Sequence, residues 1–416
     1  MTSRASGNVF YGWWVLAAAF LNFFFIIGII FYGFPVFYAS FVESLGFTRA
    51  QVTQGFFLGF LIIGLPSGLI AGAVIDRIGA RWVIVAGAGF VGVSLLLMAR
   101  MTKLWQYEAL CVLEVLGYVL AGPIANQVLV SRWFRARRGR AMGIAYLGLG
   151  TGGVVAPLLI NYLIRTYGWR NTLEIIAIAL MAVLFPVGIW VTRSTPEESG
   201  LLPDGETKSG LSGDPLVTKG SSGVAEAVGT KNFWSILLGS TLAIGSIGAV
   251  IQHFILFMKD QGYTATVAAR FSTGLLVASL AGRILVGYAV DHVSKKNAMA
   301  LFYFLIGASV LLLGMAKAPA AAWAFAIVFG FSMGADYMLV SLVTAECFGT
   351  RSLGKLLALI IMGYSLGQWG FPWIVGRIFD ARHSYELAWR LVAIAGMAGG
   401  LVIYAITPAR EATETT

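Results

Sequence analysis

The sequence predicts an all-α membrane protein, with twelve transmembrane helices arranged as two six-helix parallel repeats. Three observations carry this. Of 416 residues 58% are hydrophobic and only 12% charged, about half the charge of a water-facing domain. The apolar residues fall in twelve runs, each long enough to cross roughly 30 Å of hydrocarbon. One long polar stretch, 193–231, divides six runs from six. This composition excludes a soluble enzyme, and 28 Phe, 12 Trp and 15 Tyr exclude a disordered chain. The net charge of +10 does not indicate nucleic acid, because the basic residues are scattered through short loops between apolar runs, the pattern of membrane topogenesis.

The elements follow in order. The first run, 13–41, is longer than the apolar core of a secretory signal. The next five are 50–75, 82–101, 107–131, 140–164 and 171–192, with Thr48 placed to cap the second. The stretch 193–231 is rich in Ser, Gly, Pro and charges and reads as a flexible cytoplasmic linker. It separates an N-terminal bundle, 1–192, from a C-terminal bundle, 232–416. The second set of runs is 232–258, 266–290, 298–316, 320–346, 354–376 and 386–407, with Thr264 placed to cap the eighth. Barrel strands would alternate polar and apolar residues, and these runs do not, so helices are expected. Cys111 and Cys347 lie in apolar runs and read as small buried hydrophobes rather than a disulfide.

The halves repeat. Gly72-Ala-Val-Ile-Asp76-Arg77-Ile-Gly79-Ala-Arg81 has its counterpart in Gly287-Tyr-Ala-Val-Asp291-His292-Val-Ser-Lys295-Lys296. A shift of 215 carries Asp76 onto Asp291, Arg81 onto Lys296 and Gly139 onto Gly354; a shift of 216 carries Gly46-Phe47-Thr48 onto Gly262-Tyr263-Thr264. Such self-similarity marks two parallel repeats. Segments on the side of the termini hold 17 Lys or Arg and the opposite segments 11, which orients both termini to the cytoplasm; the expected location is the plasma (inner) membrane.

These residues resemble the major facilitator superfamily. Its signature between spans two and three is met by Gly72, Asp76, Arg77, Gly79 and Arg81, and Asp291 with Lys295 and Lys296 gives a degenerate second copy. The resemblance implies a cytoplasmic charge lock made by Asp76, Arg77, Arg81 and Asp291. Within that superfamily the chain is similar to the monocarboxylate porters, including bacterial lactate-transporting homologues, from first span to last. The matching stretches are Tyr11-Gly-Trp-Trp14, Tyr32-Gly-Phe-Pro35, Trp133-Phe-Arg-Ala-Arg-Arg138-Gly, Ala-Gly-Arg283, Phe329-Gly-Phe-Ser-Met-Gly334 with Glu346, and Gly376-Arg377-Ile-Phe-Asp380 with Tyr385. Two positions depart from the pattern: Val36 stands where animal members have Lys, and Ser279 where they have Asp. Those two groups are linked to proton coupling in animal members, so the resemblance carries over the anion site but not the proton route.

Ionisable residues deep in a span cost about 2.5–3.5 kcal/mol on insertion scales and are site candidates by default. Arg283 is the one basic residue placed deep in a run, eight residues before Asp291 and so about 12 Å from the inner face. Its guanidinium offers a planar fork to a carboxylate. Asp336, ten residues before Glu346 and about 15 Å deep, is a candidate partner for Arg283 or carrier of a coupled proton. His253 in the outer part of span seven and Glu114 in span four are candidates for coupling or gating. Tyr118, Asn126, Tyr146, Ser279, Tyr337, Tyr364 and Gln368 lie at similar depth and could complete the substrate site. Ser279 shares a helix face with Arg283, as Tyr364 does with Gln368. Phe34, Phe331 and Met333 could wall it, and Asp260 reads as a turn or cap residue at the end of span seven.

One deep cation suits one carboxylate. The expected function is secondary active transport of small monocarboxylates of the lactate and pyruvate class, as proton-coupled symport by alternating access. The alternative is a carboxylate antiporter of the oxalate–formate type. The expected partners are a small monocarboxylate, a proton and the lipid bilayer. No metal-ligand spacing, cofactor motif or phosphate-binding loop appears, so neither an enzyme nor a cofactor is expected.

Overall fold

A computed structural model describes residues 10–66, 74–75, 77–134, 137–204, 224–289, 293–334, 336–349 and 353–407. Twelve helical rods run back and forth through it. They are α1 (Gly12–Leu45), α2 (Arg49–Gly59 continued by Phe60–Gly64), α3 (Ala80–Met98) and α4 (Leu104–Trp133). The long helix Arg138–Pro186, extended by Val187–Val191, turns back at Gly168 with φ 79° and is two rods, α5 (138–167) and α6 (169–191). The rest are α7 (Lys231–Asp260), α8 (Ala265–Ala289), α9 (Lys295–Met315), α10 (Pro319–Gly334 with Asp336–Phe348), α11 (Leu353–Arg382) and α12 (Glu386–Tyr404).

Side chains on the outside fit a bilayer. Trp14, Trp82, Trp190, Trp234 and Tyr404 are exposed at the end that carries the 193–231 linker. Trp105, Tyr162, Tyr167 and Trp323 are exposed at the other, here called the far end. Between the two lies an exposed apolar band that includes Leu61, Val93, Ile178, Val277, Ile327 and Ile394. Aromatic girdles flanking a lipid-facing apolar band are the signature of a spanning bundle. This is a multi-pass membrane protein.

Caps fall where the sequence places them. Thr48 accepts from the Gln51 amide while Gln51 reaches back to Thr48, a capping box that opens α2. Thr264 accepts from the Val267 amide and opens α8. The repeat is also written in the backbone. Gly46 and Gly262, the equivalent residues before those caps, both have positive φ, 69° and 91°. Gly168 has its counterpart 215 residues on in His383, which also takes a positive φ, 51°, although it carries a side chain.

Helices cross closely where glycine removes the side chain. A Cβ on Gly28 of α1 would meet the Gly152 backbone of α5, and one on Gly334 of α10 would meet Ser279 O and Arg283 N of α8. α4 breaks at Gly122–Pro123, where proline cannot supply its amide. Side chains meet the carbonyls at the break: Asn126 Nδ2 donates to Ala121 O and Gly122 O at 2.8 Å each, and Asn22 Nδ2 of α1 donates to Ala121 O. Polar atoms in a membrane interior need such internal partners.

Candidate functional site

Arg283 lies half-buried in α8, beside the Gly334 crossing that fixes α8 against α10. Asp336, 2% exposed, follows that crossing on α10. The Tyr32 hydroxyl of α1 lies within electrostatic range of both Arg283 and Asp336, which ties the two C-terminal residues to an N-terminal helix. Tyr32 directly follows the wide π-turns of Phe24–Phe31, which set its position on α1.

The remaining tyrosines cluster here. Tyr146 of α5 senses the Arg283 charge, stacks on Phe23 with centroids 4.7 Å apart, and accepts from Gln127 Nε2. Tyr118 of α4 packs against Phe31 and Phe60 and is in electrostatic range of Tyr32 and Tyr146. Tyr364 of α11 is in range of Asp336, Tyr303, Tyr118 and Tyr146. The structure thus gathers Arg283, Asp336, Tyr118, Tyr146 and Tyr364, and adds Tyr32 and Tyr303 to them. Ser279 is buried one turn from Arg283, and Gln368 is buried where its carbonyl meets Gly248 of α7. Asn126 holds the α4 break instead of presenting a free amide, although its Oδ1 is buried without a partner. The side chain of Tyr337 lies outside the described residues.

Tyr32 was missed as a site residue because it served only as part of a family motif. Its signal was a tyrosine in mid-span; what singles it out is a charge 251 positions away in sequence.

His253 and Asp260 belong to a second centre at the far end. Arg49, first residue of α2, makes a bidentate pair with Asp260 of α7, at 2.5 and 2.6 Å. Asp260 is therefore an ion-pair partner, not the turn or cap residue expected from sequence. Its partner lies 211 residues away, beyond the reach of any local pattern. Arg49 also donates to the Tyr385 hydroxyl at 2.8 Å, and its guanidinium lies 3.8 Å from the Phe379 ring centroid. Burial disfavours the Arg49 charge, but Asp260 and Tyr385 hold its pKa above the ordinary value. Burial likewise raises the Tyr385 hydroxyl, keeping it neutral.

The chain of bonds continues into the span. His253, fully buried, has Nδ1 3.0 Å from Tyr385 Oη and Nε2 2.8 Å from Pro372 O. A carbonyl can only accept, so Nε2 carries the proton and Nδ1 accepts from Tyr385. Asp380 of α11 completes the centre: its oxygens accept from the Arg49 and Ala50 amides at 3.1 and 3.0 Å, capping a helix of the opposite half. Lys259 pairs with Glu43, and Tyr38 donates to Gln252 Oε1 at 2.7 Å, both between α7 and α1.

At the linker end, Asp76 and Asp291 of the expected charge lock lie outside the described residues. Arg77 is exposed. Arg81 binds within its own half: its amide donates to Ser194 Oγ at 3.1 Å, its guanidinium to Ile189 O, and it lies over the Trp82 ring. In the second copy Lys295 pairs with Glu346 at 2.6 Å.

Twelve rods in two parallel six-helix repeats, around a deep arginine and shut by ion pairs at one end, make the chain a membrane transporter rather than an enzyme. It belongs to the Major Facilitator Superfamily, whose family model matches residues 19–368. It is 25% identical over 399 residues to monocarboxylate transporter 13 of Bos taurus, covering 94% of this chain and 88% of that one. It is 27% identical over 316 residues to the MFS transporter asaE of Aspergillus flavus, covering 75% and 67%. Among solved structures it resembles a bacterial homologue of the human lysosomal transporter Spinster in an inward-facing, unoccupied conformation, with TM-score 0.68, 16% identity and 95% of each chain covered.

Proposed function

We propose that the chain is a secondary active transporter of small monocarboxylates of the lactate and pyruvate class, moving them with a proton by alternating access. The observation that carries the reading is Arg283, a permanent cation in electrostatic range of Tyr32 and Tyr146 from the other half, in a cluster that Tyr118 and Tyr364 continue. A guanidinium binds a carboxylate through two parallel hydrogen bonds, and neutral hydroxyls add donors without a second charge. Ser279, Asn126, Tyr337 and Gln368 extend this site. The relatives named monocarboxylate transporters support the same substrate class.

In this reading the bundles 1–192 and 232–416 rock about the site, joined by the linker 193–231. Both termini face the cytoplasm of a plasma-membrane protein, so the far end faces out. Asp336 is the carboxyl that exchanges partners with the substrate, His253 belongs to the outer gate and Glu114 to coupling. Asp76, Arg77, Arg81 and Asp291 act as the cytoplasmic lock.

The test is uptake of radiolabelled lactate into proteoliposomes under an inward pH gradient. Arg283→Ala, inserted and monodisperse, is expected to lose saturable uptake by about 100-fold or more, the scale of a lost charge-assisted bidentate contact. Wild-type uptake by that variant would remove Arg283 as the anion site. Uptake that ignores the pH gradient but requires acid on the opposite side would replace symport with antiport.

A further inference from the structure

The space between the halves holds an ionisable group that, among the described residues, hydrogen-bonds to neither the arginine cluster nor the far-end network. Glu114 of α4 is 1% exposed, and neither carboxyl oxygen has a hydrogen-bond partner among the described residues. It lines a narrow, almost wholly apolar cleft with Phe31 and Phe34 of α1, Phe56 and Phe60 of α2, Gln252 of α7 and Trp369 of α11. Gln252 is joined to Tyr38. The indole N–H of Trp369 is itself buried without an acceptor among the described residues, so it does not serve Glu114.

Among the described residues no basic side chain balances the group. The titratable groups around it are Tyr38 of α1 and Tyr107, Cys111 and Tyr118 of its own helix. The lining from α2, α7 and α11 is uncharged. α3 packs behind α4 through Gly87 and Val91 against Gly117, with the Ser94 hydroxyl donating to Leu110 O. An ionised carboxylate in such a place lacks both water and a donor, and proteins relieve this by protonation.

The cleft is dry only while the halves touch. Gln252 and Trp369 belong to the C-terminal half, and the ring of Trp369 lies 5.4 Å from Phe56 and 4.5 Å from Phe60, stacked on both. Parting α2 from α11 withdraws that cover and lets water reach the carboxyl. We propose that Glu114 is the protonation switch of this seam: the far end shuts only over the neutral acid, and its opening releases the proton to the far side. This rests on the reading of the chain as an alternating-access transporter. A proton bound only in the shut state favours that state as pH falls.

The test follows seam and transport separately. Spin labels at Ser44→Cys and Ala381→Cys, both exposed at the far end, report its opening in the full chain in nanodiscs, in a Cys347→Ala background with Cys111 buried. Between about pH 5 and 9 the wild type is expected to pass from short to long distances, and Glu114→Gln to hold one pH-independent mixture of the two, weighted to the short. A Gln variant that opens with pH as the wild type does, or a wild type indifferent to pH, would overturn the proposal. In proteoliposomes Glu114→Gln is expected to keep lactate counterflow within about twofold while losing about tenfold or more of gradient-driven accumulation; equal loss of both would also overturn it. If the Gln variant fails to insert, Glu114→Asp decides, since an unmoved pH midpoint contradicts the proposal. Arg283→Ala separates the two readings: it should lose counterflow yet keep the pH-dependent distance change.

Discussion

The repeat lays out two equivalent seams between the halves, α2 with α11 and α5 with α8, and the two are built from different chemistry. In the first, Asp380 caps the Arg49 and Ala50 amides, Arg49 grips Asp260, and the Phe57 and Trp373 rings stack 5.4 Å apart at 7°. In the second, the residue equivalent to Asp380 is Arg165, and it donates to a hydroxyl, Thr266 Oγ1, at 3.0 Å. Asn161 shares that acceptor at 3.2 Å, Thr273 donates to Val154 O at 3.1 Å, and Gly150 lies against Leu280. One seam is latched by charge and stacked rings. The other meets through small residues and hydrogen bonds to neutral acceptors, with no ion pair across it among the described residues, and it carries the helix of Arg283. Duplication supplied the geometry twice, and divergence made one copy the clamp and the other the bearing.

Three substitutions sharpen or break this contrast. The largest effect is expected from Gly376→Val, because a Cβ there would sit 2.6 Å from Ala50 Cα, against backbone that cannot yield. The latch should lose about 1–3 kcal/mol, read as a large rise in the long-distance population between far-end spin labels. Asp380→Ala comes next: it removes both cross-half cap bonds and should cost about 0.5–2 kcal/mol, seen in the same distances as a several-fold rise in open molecules. Thr266→Val should matter least, about 0.5–1 kcal/mol, measured as a shift in open fraction of less than about fivefold. A Thr266 effect as large as that of Asp380 would erase the distinction between the seams.

Much of the fold was legible because a bilayer leaves few choices. Apolar runs must be helices, Thr48 and Thr264 announce their starts, and the 215-residue shift exposes the duplication. Arg283 stands out of the sequence for the same reason, since a guanidinium is costly in hydrocarbon. What stayed hidden depends on pairing between distant helices. Asp260 looks like a helix end until Arg49 is beside it, and His253 looks free until Tyr385 and Pro372 fill both ring nitrogens. Asn126 reads as a site amide, but it sits four residues past Gly122 and its side chain is taken up by the carbonyls at the helix break. The wide turns that precede Tyr32 leave no mark in a uniformly apolar stretch.

The cap on α2 has a consequence in time. A helix begins with amides that its own turns cannot satisfy. Here the third is held by Thr48, on the same helix end, while the first two are held by Asp380 from the other half. When the far end parts, Arg49 and Ala50 surrender their amide hydrogens to solvent, and they recover protection when it shuts. Isotope exchange at those two positions would then run as a clock for the far end, ticking once per opening and otherwise silent.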